Sequence, residues 1–431
     1  MNLGYKVFAA LILNRLKDGN VDEYIWPTQF GFKKGRRTAD ALFVTRRIPE
    51  RAWNAKNESR VLLALDWAKA FDSISPAALI VALKRFGLPG KSCAMIAEIY
   101  SERQFVVAEC GVHSEARTQH NGISQGCPLS PYLFVILMSV MLSDAQELLW
   151  KDHGIVLSAG EISELIYADD TLLVGLDVHV VEKYLACVVT VGLENGLEMN
   201  WKKVELVHVK GLRHLVRPDG QIIKPKDAFI YLGSHVADDG DITSGLARRL
   251  GMAQAEFSRL HQVWCHSGLS IWERYRVYCS CIVSKLLYGV QVVWPTKAAR
   301  DKLDAFHARS LRRILGIAPA YWSRISNKDV LAKIQAPTMS MMLLERQLGF
   351  LGTLARRKDT CPVRKFVFGA NLARAPVNFE RRRGRPNLEW TTEIFKIIDC
   401  MFSSHAEFHA CILSKHVWRR RVREHCRRHS Q

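Results

Sequence analysis

The residues in this sequence best suited to chemistry are three aspartates, Asp66, Asp169 and Asp170. Asp66 ends the apolar run Val61 to Leu65, the pattern of a buried central strand with a polar residue at its tip. Asp169 and Asp170 interrupt the apolar stretch Leu165 to Val174, which reads as strand, tight turn, strand. Two apolar strands therefore each deliver carboxylates to a turn. An isolated Asp-Asp pair is more often a solvated turn, but a solvated turn rarely joins strands this apolar. Burying unpaired carboxylates is costly, and neighbouring aspartates repel. A site that gathers such charge holds cations. Mg²⁺ is the natural choice, with Mn²⁺ the alternative, because it binds through one or two carboxylates plus substrate phosphates. Two such ions lower the pKa of an attacking hydroxyl, stabilise transition-state charge and steady a leaving pyrophosphate. That is the chemistry of nucleotidyl transfer.

The elements that must position these residues are legible as pattern. Residues 2 to 17 have helical spacing of apolar side chains. A loop follows with Pro27, Gly31, Gly35 and the basic cluster Lys33, Lys34, Arg36 and Arg37. Thr38 or Asp40 is placed to cap the next helix. Ser75-Pro76 and Ser130-Pro131 read as helix starts, the second leading into an apolar stretch from Tyr132 to Leu142. A helix is expected from about 181 to 195, a strand over 205–210 and a further short strand over 229–236. From 243 to 316 the pattern is almost entirely helical. The last segment is the most basic, with Arg381 to Pro386 and Arg419 to Arg421.

The bulk numbers agree with a partner of opposite charge. The net charge of +19 attracts polyanions, of which nucleic acid is the commonest. The 48% hydrophobic content is normal for a folded chain of two or three domains. Eleven cysteines, an odd number without a framework, suit a reducing compartment rather than secretion. No apolar run is expected to span a bilayer. Cys400, His405, His409, Cys411, His425 and Cys426 lack the spacing of a zinc knuckle, and no structural zinc is expected.

Several of these segments resemble reverse transcriptases of the non-LTR, LINE-type retrotransposon family. Tyr167-Ala168-Asp169-Asp170 is similar to the Tyr/Phe-x-Asp-Asp signature. Leu65-Asp66-Trp67-Ala68-Lys69-Ala70-Phe71-Asp72 resembles the first catalytic motif, and Ser124 to Pro131 the motif between the two. Gln29 to Arg36 resembles the template-side finger motif. Gly196 to Lys203 and Tyr231-Leu232-Gly233 resemble the two later palm motifs. The six stand in the family order.

The resemblance implies an α+β right-hand polymerase, with fingers and an antiparallel palm sheet over 1–242. A helical thumb over 243–345 and a basic nucleic-acid-binding extension over 346–431 would follow. It implies that Asp66 and Asp169 are metal ligands, that Asp170 completes the cluster and that the Trp67 carbonyl adds a ligand. Asp72 is expected to be structural. Phe71 would crowd the sugar 2′ position and exclude ribonucleotides. Gln125 and Gly126 would line the nucleotide pocket. Lys203, with Lys202 as rival, would protonate pyrophosphate. Lys33, Lys34, Arg36 and Arg37 would meet template phosphates, and Tyr231, Leu232 and Gly233 would grip the primer. Arg248, Arg249, Arg309, Arg312 and Arg313 would either track the duplex or lie on solvated helix faces.

The implied partners are template RNA, a DNA primer or target and dNTPs. The implied setting is a ribonucleoprotein of nucleus and cytoplasm. Relative to the family pattern the chain reads as N-terminally truncated, without the earlier Arg-Pro finger motif or an upstream endonuclease domain. The expected function is RNA-directed DNA polymerase, and the alternative is a catalytically inactive remnant that only binds nucleic acid.

Overall fold

The computed structural model describes residues 3–157, 162–265, 268–377, 379–384 and 387–428. Arg385 and Pro386 of the expected basic patch, and Asn2 of the expected first helix, lie outside the described residues. The chain packs as two units. One comprises 1–41 and 58–232, the other 42–57 and 233–431.

The first unit is built on a four-stranded antiparallel sheet. Its strands are β1 (Arg60–Leu65), β2 (Glu164–Tyr167), β3 (Asp170–Gly175) and β4 (Glu205–Val209), in the spatial order β4-β1-β3-β2. β1 lies in the middle, and its apolar run is buried at Val61, Leu62, Leu63 and Leu65. Helix α1 (Leu3–Asp18) precedes the sheet and buries Ala9, Ile12 and Leu16. Helix α2 (Thr38–Asn54) starts at the expected position, where Asp40 Oδ2 accepts from the Arg37 amide at 2.7 Å. Its first turn belongs to this unit and the rest to the other.

Helix α3 (Pro76–Arg85) is capped by Ser75, whose hydroxyl accepts from the Ala78 amide at 3.3 Å. Helices α4 (Ser130–His153) and α5 (Val178–Glu194) pack against each other. α4 is long and apolar enough to cross a membrane by length and composition, which corrects the expectation that no run reaches that size. Every residue from Tyr132 to Ser139 is buried in the core of the unit. A helix apolar on all sides is what a core position demands.

Two local expectations change. The strand expected over 229–236 is broken into Ala228–Tyr231 and Ser234–Ala237. Leu232 and Gly233 between them take φ of 47° and 70°, left-handed values that no strand can continue through. Residues 104–118, which carry no clear alternation, form two short exposed ladders. Gln104–Phe105 pairs with Arg117–Thr118, and Ala108–Glu109 with Val112–His113.

The second unit is helical, with α6 (Thr243–Arg259), α7 (Ile271–Tyr278), α8 (Lys297–Ile314), α9 (Asn327–Lys333) and α10 (Met339–Ala355). The basic C-terminal region continues it with α11 (Trp390–Met401), α12 (His405–Leu413) and α13 (Lys415–Arg428). This region is folded into the unit rather than attached as a tail. Trp390 stacks edge-on against Phe43 of α2 at 4.9 Å, and its indole donates to the Gln291 carbonyl at 2.9 Å. Trp418 donates to the Leu348 carbonyl at 2.9 Å. Among its arginines, α13 buries Trp418, Val422 and Cys426, spaced by four so that they share one face.

The arginines expected either to track the duplex or to lie on solvated helix faces divide. Arg248, Arg309 and Arg313 are exposed, whereas Arg312 is buried and Arg249 half-buried. Arg249 donates to the Gly233 carbonyl at 2.8 Å.

Leu137 sits fully buried in the middle of α4, while Leu3 is 76% exposed on α1. Leu137→Ala is expected to destabilise the chain by about 2–5 kcal/mol, and Leu3→Ala by no more than about 0.5 kcal/mol. Urea unfolding of the two variants checks the contrast.

Candidate active site

The sheet register brings the aspartates together. β1 and β3 run antiparallel with Leu65 opposite Thr171, so the next position on each strand is Asp66 and Asp170. The β2–β3 hairpin closes with Tyr167 opposite Asp170, leaving Ala168 and Asp169 as its turn. Ala168 takes φ 60°, a conformation that costs a residue with a Cβ about 1–2 kcal/mol.

That turn is braced from the segment before α2. Gln29 is fully buried, and its amide oxygen accepts from the amides of Ala168 at 3.0 Å and Gly31 at 2.8 Å. Its amide nitrogen donates to the Ala168 carbonyl at 3.4 Å. The Phe30 amide donates to the Ile166 carbonyl at 2.7 Å, and the Ile166 amide to the Thr28 carbonyl at 3.0 Å. Gly31 lies so close to the turn that a Cβ there would stand 2.4 Å from the Ala168 nitrogen. The buried Glu164 carboxylate anchors the same segment, accepting from the Trp26 indole at 2.8 Å and the Tyr184 hydroxyl at 3.1 Å. The Thr38 hydroxyl donates to the Tyr167 hydroxyl at 3.0 Å.

Asp66 is held by the segment before β4. The Asn200 amide donates to the Asp66 carbonyl at 2.8 Å, and the Asn200 side chain to Asp66 Oδ2 at 2.9 Å. Lys203 Nζ donates to Asp66 Oδ1 at 3.3 Å. Of the two rival lysines it is therefore Lys203 that faces the carboxylate, and Lys202 is exposed. Gln29 and Asn200 received no role from the sequence, although both stand inside quoted motifs. Their work is to hold backbone far away in sequence, and spacing does not display that.

The electrostatics are those of crowded negative charge. The Asp170 carboxyl is pushed up to about 6, first by loss of hydration and then by the charges of Asp169 and Asp66, with Lys203 opposing. Asp170 is nevertheless open to solvent at its tip, so this strain is screened in part. Among the described residues, no three His, Cys, Asp or Glu side chains are gathered tightly enough to hold a metal ion as they stand. The donor chemistry still fits one. The three groups are hard oxygen ligands, and a divalent cation offsets both the lost hydration and the neighbouring charge that lift Asp170.

The remaining expected site residues are placed as follows. The Trp67 ring is buried, and its indole donates to the Thr171 hydroxyl at 3.3 Å beneath the turn. Phe71 stacks on Phe134 with ring centres 4.6 Å apart. The Gln125 amide donates to Asp72 Oδ1 at 3.0 Å, which gives Asp72 a local partner. Gly126 takes φ 80° with open space in front of it. The loop carrying both is tied down by Ile123, whose amide donates to the Phe71 carbonyl at 2.7 Å, and by Arg103, which donates to the Ser124 hydroxyl at 3.0 Å.

Of the basic cluster, Lys34 and Arg37 are exposed. Arg36 lies over the Phe30 ring at 5.4 Å. The Lys33 ammonium donates inward to the Ile25 carbonyl at 2.8 Å. The Tyr231 ring is buried, with its hydroxyl 3.4 Å from the Leu165 carbonyl, and the left-handed Leu232–Gly233 turn follows it directly.

A carboxyl whose folded pKa lies above the ordinary 3.8 binds its proton more tightly when folded. The stability it contributes is full below pH 3.8 and lost as pH rises through about 6. In metal-free buffer, Asp170→Asn is therefore expected to raise the melting temperature at pH 8. The gain should shrink as pH falls through 6. Thermal melts at pH 8 and pH 4 check this, and a gain of equal size at both would refute the charge account.

The chain is similar to several known proteins. The family model described as reverse transcriptase (RNA-dependent DNA polymerase) matches residues 1–236. A retrovirus-related Pol polyprotein from the type-1 retrotransposable element R2 of Popillia japonica is 23% identical over 366 residues, 79% of this chain and 57% of that protein. The transposon TX1 uncharacterized 149 kDa protein of Xenopus laevis is 27% identical over 205 residues, 47% of this chain and 15% of that protein. The chain thus spans between a seventh and three-fifths of the length of these relatives. A solved RNA-dependent RNA polymerase of a human picorbirnavirus overlays with a TM-score of 0.40 at 16% identity, covering 79% of this chain and 57% of that one. Reverse transcriptases generally use divalent metal ions, and with the family model matched over the whole sheet and its three aspartates, the chain belongs to the reverse transcriptase family.

Proposed function

We propose that this chain is an RNA-directed DNA polymerase that extends a DNA primer along an RNA template. The observation that carries the reading is the meeting of Asp66, Asp169 and Asp170 at one end of the sheet, with Lys203 3.3 Å from Asp66. In the reaction, the primer 3′-oxygen attacks the α-phosphorus of a dNTP. A new P–O bond forms, the bond to the bridging oxygen breaks, and pyrophosphate departs.

Asp66, Asp169 and Asp170, with the Trp67 carbonyl, are the groups we assign to two Mg²⁺ ions, Mn²⁺ being the alternative. Bound there, such ions lower the pKa of the hydroxyl and stabilise charge on the phosphoryl oxygens. Asn200 keeps the Asp66 carboxylate turned to the site through its 2.9 Å bond. Gln29 fixes the Ala168-Asp169 turn, so that the second carboxylate is positioned before substrate arrives. Lys203, exposed beside Asp66, supplies a proton to the leaving pyrophosphate. Phe71 cannot swing away from an incoming sugar because Phe134 backs its ring, which supports its reading as the wall that rejects a 2′-hydroxyl. Lys34 and Arg37 are the exposed cations available to template phosphates. We assign the helices from 243 onward to the thumb and the segment from 346 to a nucleic-acid-binding extension.

Primer extension on an RNA template with dNTPs and Mg²⁺ is expected to proceed with the chain as it stands. It should be abolished in the double variant Asp169→Ala, Asp170→Ala. Absence of extension with RNA binding intact would leave a chain that only binds nucleic acid. Gly31→Ala forces the Ala168 backbone to move, so incorporation should fall about 10²-fold while RNA affinity is kept. Single-turnover rates measure that loss, and an unchanged rate would remove the brace from the mechanism.

A further inference from the structure

The second unit presents two large aromatic side chains to solvent at one short turn. Tyr321 is 73% and Trp322 75% exposed, with ring centres 5.2 Å apart and planes at 82°. They lie between α8 and α9, away in sequence from every residue assigned to the aspartate site. Contiguous exposed apolar surface rimmed by polar residues marks interaction sites.

The turn is built rather than loose. Arg312, buried at the end of α8, donates to the Ile325 carbonyl at 2.7 Å, Asn327 Oδ1 at 3.0 Å, the Ala318 carbonyl at 3.3 Å and the Ser323 hydroxyl at 3.4 Å. The amides of Trp322 and Ser323 donate to the Pro319 carbonyl at 2.9 and 3.0 Å. Arg324 closes the turn with φ 56°, and the Ser326–Asp329 capping box starts α9 directly after it. One buried guanidinium thus organises the whole connection and leaves both rings outside.

The charge of the sequence on either side of the rings chooses among partners. From Arg309 to Asp329 the sequence has five basic residues and one acidic one, Asp329, whose carboxylate is engaged in the Ser326 cap. Arg309, Arg313, Arg324 and Lys328 are exposed. Planar rings flanked by cations take bases on their faces and phosphates on the arginines, which is how single strands are held without sequence preference. In a duplex the base faces are already stacked on one another.

We propose that Tyr321 and Trp322, with Arg313 and Arg324, form a stacking site of the helical unit for single-stranded nucleic acid, RNA in the first instance. The proposal rests on reading the chain as a protein that handles RNA, but it does not require the chain to polymerise.

The test is fluorescence anisotropy of the full chain with a short fluorescein-labelled uridine homopolymer, beside a blunt RNA duplex of equal length. Tyr321→Ala with Trp322→Ala is expected to weaken single-strand affinity at least about fivefold, the low end for one lost stacked base. Duplex affinity should stay unchanged. Tyr321→Phe with Trp322→Phe keeps two flat rings and should restore most of the loss. Unchanged single-strand affinity, or an equal loss for the duplex, overturns the proposal and leaves the pair as a protein-docking surface. Photocrosslinking of the wild-type chain to 5-iodouridine RNA does not depend on how the variants fold. Adducts on the peptide 318–327 are expected, and their absence overturns it too. Because both readouts are binding, failure of primer extension would not touch this result.

Discussion

The pairing of β1 with β3 is the constraint on which the rest of the first unit depends. Leu65 opposite Thr171 sets where Asp66 stands relative to the hairpin turn. In a ladder with period two, a slip of one residue would turn Leu62, Leu63 and their partners onto the opposite faces. The strands are buried on both sides, so a slip would trade one apolar set for another of different shape, and close packing holds the register. The aspartates are carried to their meeting point by hydrophobic packing, against their own repulsion. Every polar device nearby then serves to hold the ends of those strands. Gln29 grips the turn, Asn200 grips Asp66, and Lys203 reduces the charge.

Much of this was legible because it is written in local pattern. The apolar run before Asp66 and the two around Asp169-Asp170 specify strands. Ser75-Pro76 and Ser130-Pro131 specify helix starts, and the structure has helices at Pro76 and Ser130. Other features depend on partners far away. Gln29 looks like an ordinary loop residue until the chain brings Ala168, 139 positions on, against its amide. Gly31 could have been a turn glycine, but its reason is the approach of another backbone. Lys33 and Arg312 read as surface cations like their neighbours, and only the folded chain shows carbonyls drawn around them. The break at Leu232 was hidden because a leucine in the left-handed region has no signature in composition.

The charge of +19 is unevenly employed. Some arginines are structural posts. Arg312 organises a loop, and Arg47 is paired in the interior with Glu50, whose carboxyl is itself raised to about 7 by burial. Those left outside, such as Arg309 and Arg313, give the helical unit its positive face, while the sheet unit carries a concentrated negative centre. For a protein that handles polyanions this division is useful. Under the proposed function the basic surface gathers the strands by long-range attraction, and the acidic centre repels their phosphates until cations are present.

Residues 42–57 are counted with the helical unit although sheet-unit sequence flanks them on both sides. Glu50 accepts from the Trp390 amide across 340 positions, and Asn54 donates to Glu389 across 335. A ribosome adding about 5–20 residues per second makes the second partner roughly 15–70 s after the first. Through that interval Phe43 and its neighbours have no core to enter. The sheet unit can close during synthesis, whereas the helical unit must wait until Glu389 and Trp390 are made. A nascent chain of this kind would keep an apolar segment within reach of chaperones until its last third emerges, and a cut at the boundary near 232 would strand that segment for good.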